Sequence, residues 1–211
     1  DYSHKLILEG YNEYLGGKVF NNVGLLVELP ENQAYSWVNE LNQTFVDAVR
    51  ATGGNNTDRV LIVSGYWTNI DKTASSNFVM PTDSVEDLLM VSVHYVDNTM
   101  YWSNQIGSQT WQDYTISQCD LLKQAFTEKG IPVFLGETTS PYPQDRFASN
   151  PTICNSSTAC SEVVLRTLLD YDFIPVIWDA NSNYYSREAC EIKQSSDREL
   201  IKTLALEIES K

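Results

Sequence analysis

The sequence predicts an α/β protein in which parallel strands are covered on both faces by helices. Three observations carry this. Short apolar runs recur along the chain with little polar interruption, as strands buried on both faces require. Between them lie segments with apolar residues at helical spacing. The runs deliver polar or aromatic residues at the same end, the carboxyl-terminal one.

The elements follow in order. Residues 6–11 form a strand that leads into Asn12-Glu13. Residues 34–52 carry Trp37, Val38, Leu41, Phe45, Val46 and Val49 as one stripe and stop at Gly53-Gly54, which predicts a helix. Residues 59–66 (Arg-Val-Leu-Ile-Val-Ser-Gly-Tyr) and 88–95 (Leu-Leu-Met-Val-Ser-Val-His-Tyr) are the next strands. A helix over 116–129 presents Leu121, Leu122, Ala125 and Phe126 on one face and stops before Gly130. Residues 131–136 make a strand that ends at Glu137, 162–170 a helix and 173–178 a strand. An amphipathic helix over 195–209, capped by Ser195 or Ser196, closes the chain.

Composition narrows the function. With 211 residues, 42% hydrophobic and 11% aromatic, the chain fits one domain with a sizeable core. No apolar run approaches the roughly 20 residues of a membrane span, and no charged-then-apolar signal segment opens the chain. Neither a membrane nor nucleic acid is expected as a partner, because a formal charge of −14 repels polyanions; a neutral substrate fits better. Cys154 and Cys160 bracket a short polar loop that can close as a disulfide, whereas Cys119 and Cys190 have no sequence partner. With glycosylation acceptor triplets at Asn42, Asn55 and Asn155, that pair points to an extracellular location. The two histidines, His4 and His94, and the absence of closely paired cysteines predict no metal site.

At the strand ends stand Asn12-Glu13, Tyr66-Trp67, His94-Tyr95, Glu137 and Trp178-Asp179. Each has a plain structural reading as well: core aromatics, a satisfied core histidine, and, for Glu9, a buried structural carboxylate, the reading favoured because it lies deeper than Glu13. Two carboxylic acids, Glu13 and Glu137, are the minimum equipment for cleaving a glycosidic bond. Only about five strands are found, whereas a closed barrel needs eight, so period and count alone favour an open five-stranded sheet.

Four segments together resemble glycoside hydrolase family 5, and within it the endoglucanase group called subfamily 4. They are Leu-Ile-Leu-Glu-Gly-Tyr-Asn-Glu (6–13), Val-Ser-Val-His-Tyr (91–95), Gly-Ile-Pro-Val-Phe-Leu-Gly-Glu (130–137) and Pro-Val-Ile-Trp-Asp (175–179). Ala-Thr-Gly-Gly-Asn-Asn (51–56) and Arg-Val-Leu-Ile (59–62) resemble the same group. The resemblance implies a (β/α)8 TIM barrel of which this chain holds about strands four to eight. It implies a retaining endo-β-1,4-glucanase acting on cellulose or related β-glucans without a metal or organic cofactor. Glu13 would be the acid/base and Glu137 the nucleophile. Asn12 would bind the sugar's 2-hydroxyl, His94 would face substrate, and Trp178 would lie under the sugar at the cleavage site. Tyr66, Tyr95 and Asn181 complete the implied substrate-binding set.

Departures from the family accompany the match. A tyrosine usually stands two positions after the histidine; here Val96 does, with Tyr95 one position early, where strand alternation turns it the other way. A bulge that re-aims Tyr95, replacement by Tyr101 or Trp102, or loss of the contact are the alternatives. Asp179-Ala180-Asn181 replaces the family's Asp-Asn-Gly. Because the match begins at the family's fourth strand, an N-terminal barrel fragment or self-association is expected to cover two apolar sheet edges. The loop over 138–159 and the cluster Met100-Tyr101-Trp102 with Trp111 read equally as cleft lining or as packing. An open flavodoxin-like sheet, the remaining alternative, would carry a Gly-rich phosphate loop, and the chain has none.

Overall fold

The computed structural model describes residues 3, 5–14, 18–20, 26–138, 141–179 and 183–210. In chain order the elements are β1 (Leu8–Glu9), β2 (Lys18–Phe20), β3 (Leu26–Glu28), α1 (Glu31–Ala51), β4 (Leu61–Asn69), α2 (Ile70–Thr73), β5 (Leu89–His94), α3 (Asn98–Trp102) and α4 (Gln109–Ala125). There follow β6 (Val133–Thr138), α5 (Ser157–Asp170), β7 (Ile174–Ile177), β8 (Tyr185–Ser186), β9 (Glu191–Ile192) and α6 (Ser195–Glu209). The main sheet has the order β1-β4-β5-β6-β7, with β1/β4 and β4/β5 parallel; β2/β3 and β8/β9 are short antiparallel pairs. None of the described helices is long and apolar enough to cross a membrane.

The chain divides into two compact units, Asp1–His94 with Asp120–Leu135, and Tyr95–Cys119 with Gly136–Lys211. In the first, α1 lays its apolar stripe on β4: Val46, Leu61 and Val63 form a buried cluster joined by Leu8, Phe45, Val49, Met80 and Leu89. The packing of α2 on β4 leaves no room for a side chain at Gly65, where a Cβ would lie 2.1 Å from Thr73 Oγ1. Asn42 is wholly buried and its amide donates to the Ser64 carbonyl at 2.9 Å, so this fold has no room for a glycan on that acceptor. Glu9, expected to be buried, is exposed instead. It stands on an edge strand only two residues long whose one strand neighbour is β4.

A buried ion pair ties the end of α1 to the segment before β5. Arg50 donates from Nε and Nη2 to Asp83 at 2.6–3.1 Å and from Nη1 to the carbonyls of Asn56 and Arg59 at 2.6 and 2.9 Å. The guanidinium holds the Asp83 carboxyl below its ordinary value.

In the second unit, Leu165 of α5 and Leu200 and Leu204 of α6 form the buried cluster, with Leu169, Ile177 and Ile201 packed on it. Ser156 caps α5, its hydroxyl accepting from Ala159 N at 3.3 Å. The cap expected for α6 is different: Gln194 occupies the N-cap without a side-chain bond, and the Ser196 hydroxyl meets Thr158 Oγ1 at 2.9 Å. Cys154 and Cys160 are disulfide-bonded. Beside them Gly107 has φ 82°, and a Cβ there would lie 2.2 Å from the Cys154 carbonyl, so only glycine fits. Helix α4 starts at Gln109 rather than 116 because Trp111 and Thr115 extend its buried face by about two turns.

Replacing Asp83 by Asn leaves the buried Arg50 charge uncompensated, and urea unfolding should show a loss of about 3 kcal/mol. The folded-state pKa of Asp83 is lowered, so its contribution is present above the unfolded value of 3.8 and is lost as pH falls through the folded one. Thermal melts across pH 2–5 should therefore fall more steeply for the wild type than for Asp83→Asn.

Candidate active site

In the first unit, β1 continues past its last residue through Gly10, whose N–H donates to the Ile62 carbonyl at 3.1 Å. The Ser64 hydroxyl donates to the Tyr11 carbonyl, and the Tyr11 hydroxyl donates to the Val38 carbonyl at 3.1 Å. Burial pushes the Tyr11 phenol up, which keeps it a donor. With Tyr11 anchored at both ends, Asn12 and Glu13 are turned outward and exposed. Glu13 has φ 46°, a left-handed backbone rare for a side-chain-bearing residue. Its Oε1 lies 3.1 Å from Nδ1 of His94, a buried residue at the end of β5.

The end of β4 is bulged. Ser64 pairs with Ser92, but the next pair is Asn69 with His94, so β4 takes more residues than β5 over this stretch. Trp67 and Thr68 are consecutive left-handed residues within it, at φ 51° and 49°. The bulge exposes Trp67, while Tyr66 is buried against the Tyr35 ring at 4.7 Å and beneath the Lys72 ammonium at 4.9 Å. Tyr66 is therefore a core residue and offers no surface to a sugar.

In the second unit, half-buried Glu137 stands near the end of β6, its carbonyl accepting from Tyr95 N at 3.0 Å. Trp178 is 49% exposed; its N–H donates to the Thr138 carbonyl at 3.1 Å, and Thr138 Oγ1 donates to the Val176 carbonyl at 2.8 Å. Asp179 organises the following turn by accepting from the N–H groups of Asn183, Tyr184 and Tyr185 at 2.9–3.2 Å, bonds that hold its carboxyl low. Asn181 lies outside the described residues. Tyr95 is wholly buried with its hydroxyl 2.8 Å from Thr115 Oγ1, so it too is removed from the substrate-binding set. Alternation has turned it inward while Val96 is exposed. Asp97, next in line, is buried and accepts from Trp111 Nε1 at 2.8 Å and the Tyr142 hydroxyl at 3.2 Å; Trp111 is thus packing, not platform.

The model of the family described as cellulase (glycosyl hydrolase family 5) matches residues 1–184. The chain belongs to glycosyl hydrolase family 5. Endoglucanase A of Paenibacillus barcinonensis is 34% identical over 207 residues, covering 86% of this chain and 49% of that protein. A xyloglucan-specific endo-β-1,4-glucanase of Bacteroides ovatus is 30% identical, covering 85% of this chain and 38% of its own length. Among solved structures, a GH5-4 broad specificity endoglucanase from an uncultured bovine rumen ciliate matches with TM-score 0.73 at 27% identity, over 94% of this chain and 59% of that one. A family 5 xyloglucanase from Paenibacillus pabuli matches with TM-score 0.74 at 28% identity, over 96% and 62%. This family 5 chain thus spans half or less of those curated relatives, and its five parallel strands correspond to part of a (β/α)8 barrel. The open sheet that period and strand count favour gives way to that fold.

The residues missed from sequence are those that aim the turn bearing Glu13: Tyr11 and Ser64. Ser64 left a signal, a hydroxyl in the middle of an otherwise apolar strand. Removing it in Ser64→Ala frees the Tyr11 carbonyl and the turn that carries Glu13. Urea unfolding should show a loss of about 1 kcal/mol.

Proposed function

We propose that this family 5 chain carries the acid/base and the nucleophile of a retaining endo-β-1,4-glucanase. The observation that carries the reading is Glu13, outward on a strained turn and hydrogen-bonded to His94, in a chain whose ordered segments and relatives are those of endoglucanases. Glu137 attacks the anomeric carbon, forming a glycosyl ester as the glycosidic C–O bond breaks, and Glu13 gives its proton to the leaving oxygen. Water then cleaves the ester, with Glu13 taking the proton back. Asn12 holds the 2-hydroxyl, His94 orients Glu13 and faces substrate, and the exposed indole of Trp178 supports the apolar face of the sugar. The substrates are cellulose, mixed-linkage glucan or xyloglucan. Action outside the cell is supported by the Cys154–Cys160 disulfide and the exposed acceptor Asn155.

A second reading is supported by the share of relatives the chain spans and by its five strands: it binds glucan, and turns over only when further barrel strands or a second copy join it. Reducing-end assays separate the two. For the first, Glu137→Gln and Glu13→Gln should each lose at least about a hundredfold in kcat, and azide or formate should rescue the matching Ala variant. Full activity in either Gln variant refutes the assignment. The second is favoured if glucan is bound but no ends appear until an N-terminal barrel fragment is added.

A further inference from the structure

Asp97 follows the end of β5 and is 3% exposed, yet among the described residues no cation pairs with it. No step of the chemistry proposed above falls to it. Two donors from different elements converge on its Oδ2, Trp111 Nε1 of α4 at 2.8 Å and the Tyr142 hydroxyl of the loop after β6 at 3.2 Å. The two donor rings are themselves buried and meet edge-on at 6.0 Å.

The segment that bears Asp97 touches the strand of Glu137 twice. Tyr95 N donates to the Glu137 carbonyl at 3.0 Å, and Asp97 takes hold of the same chain again at Tyr142. Tyr95 is fixed in turn: its hydroxyl lies 2.8 Å from Thr115 Oγ1, which donates to the Trp111 carbonyl at 3.0 Å. Farther along, main-chain bonds brace the loop. Ile106 N donates to the Arg146 carbonyl at 3.2 Å, Ala148 N to the Ile106 carbonyl at 2.9 Å, and Thr152 and Ile153 both donate to the Gly107 carbonyl. Tyr142 lies nearer Glu137 in sequence than any of these.

We propose that Asp97 is a positioning residue: through Tyr142 it holds the loop that follows Glu137, and it releases that loop as it ionises. The groups that face it are neutral. Tyr95 and Tyr142 are phenols, and Tyr95 is faced in turn by Tyr114 and Cys119 of α4. Arg146 of the same loop is engaged elsewhere, over the Tyr101 and Trp102 rings of α3 and beside Asp145. A carboxylate in this pocket therefore lacks both water and a counter-charge, and burial pushes its carboxyl up. Opening the loop lets water reach it. The closed form accordingly binds the proton better than the open form, so closure is favoured most below the ordinary value of 3.8 and weakens as pH rises through the closed-state value.

The consequence for Glu137 rests on the glucan reading above, whereas the hold on the loop does not, and the test separates them. Peptide-resolved hydrogen exchange of the whole chain, corrected for intrinsic rates, measures protection over 141–153 at pH 4 and pH 7. The wild type should be less protected at pH 7, and Asp97→Asn should lose that pH dependence. Tyr142→Phe keeps the ring and removes the hydroxyl; at pH 7 its loop should be about tenfold less protected than the wild type's, with α6 peptides unchanged. Asp83, whose effect on stability runs the other way with pH, lies in the first unit and is read from other peptides. Equal wild-type protection at the two pH values, or an unaltered pH dependence in Asp97→Asn, overturns the proposal. Wild-type protection in Tyr142→Phe overturns it as well, and decides the matter should Asp97→Asn not fold. If the expected exchange is seen but barley mixed-linkage glucan yields no reducing ends even with an N-terminal barrel fragment added, the hold on the loop stands and the glucan reading falls.

Discussion

A strand buried on both faces can present polar chemistry only where it ends, and that constraint shapes this protein. On β4, Leu61, Ile62 and Val63 are buried in succession, and the first polar side chain, Ser64, is tolerated because its hydroxyl has the Tyr11 carbonyl to bond. The same bond fixes the turn after β1, so the strand's burial and Glu13's direction share one cause. Chemistry gathers at the carboxyl ends because the strand bodies exclude it.

Those ends also carry strained backbone. Glu13, Trp67 and Thr68 all hold left-handed conformations in the first unit. None is glycine, so each costs of order 1 kcal/mol or more and persists only because neighbours enforce it. The Tyr11 anchors enforce the first, and the bulge between Ser64 and Asn69 the other two. Strain of this kind exchanges stability for a side chain aimed out of the sheet.

The division between what was legible in the sequence and what was not follows from the same physics. Strand bodies and helix stripes were readable because their period is a consequence of burial, and Tyr95 behaved as period two demands. Tyr66 is buried and Trp67 exposed because a bulge breaks that period, and nothing local announces it. Depth along the strand suggests burial for Glu9, while its exposure is decided by β1 being an edge. Asn42 carries an acceptor triplet in sequence and a core hydrogen bond in space; helical period placed its neighbours correctly, but a triplet pattern carries no information about which face is inward. Barrel membership came from ordered motifs, because strand count alone describes an open sheet equally well.

The two units position their strand-end groups by different means. In the first, hydrogen bonds from the sheet itself aim the turn. The second relies on cross-bracing between loops, and its central member, Asp97, is a costly one: burial pushes its carboxyl up against the pull of Trp111 and Tyr142. A raised folded-state pKa means that its contribution is full below the unfolded value of 3.8 and diminishes as pH rises through the folded one. A chain that keeps such a group at neutral pH gives up stability for loop rigidity. A loop ordered beforehand loses less freedom when anything binds it, whereas ordering a loose loop would cancel part of the gain.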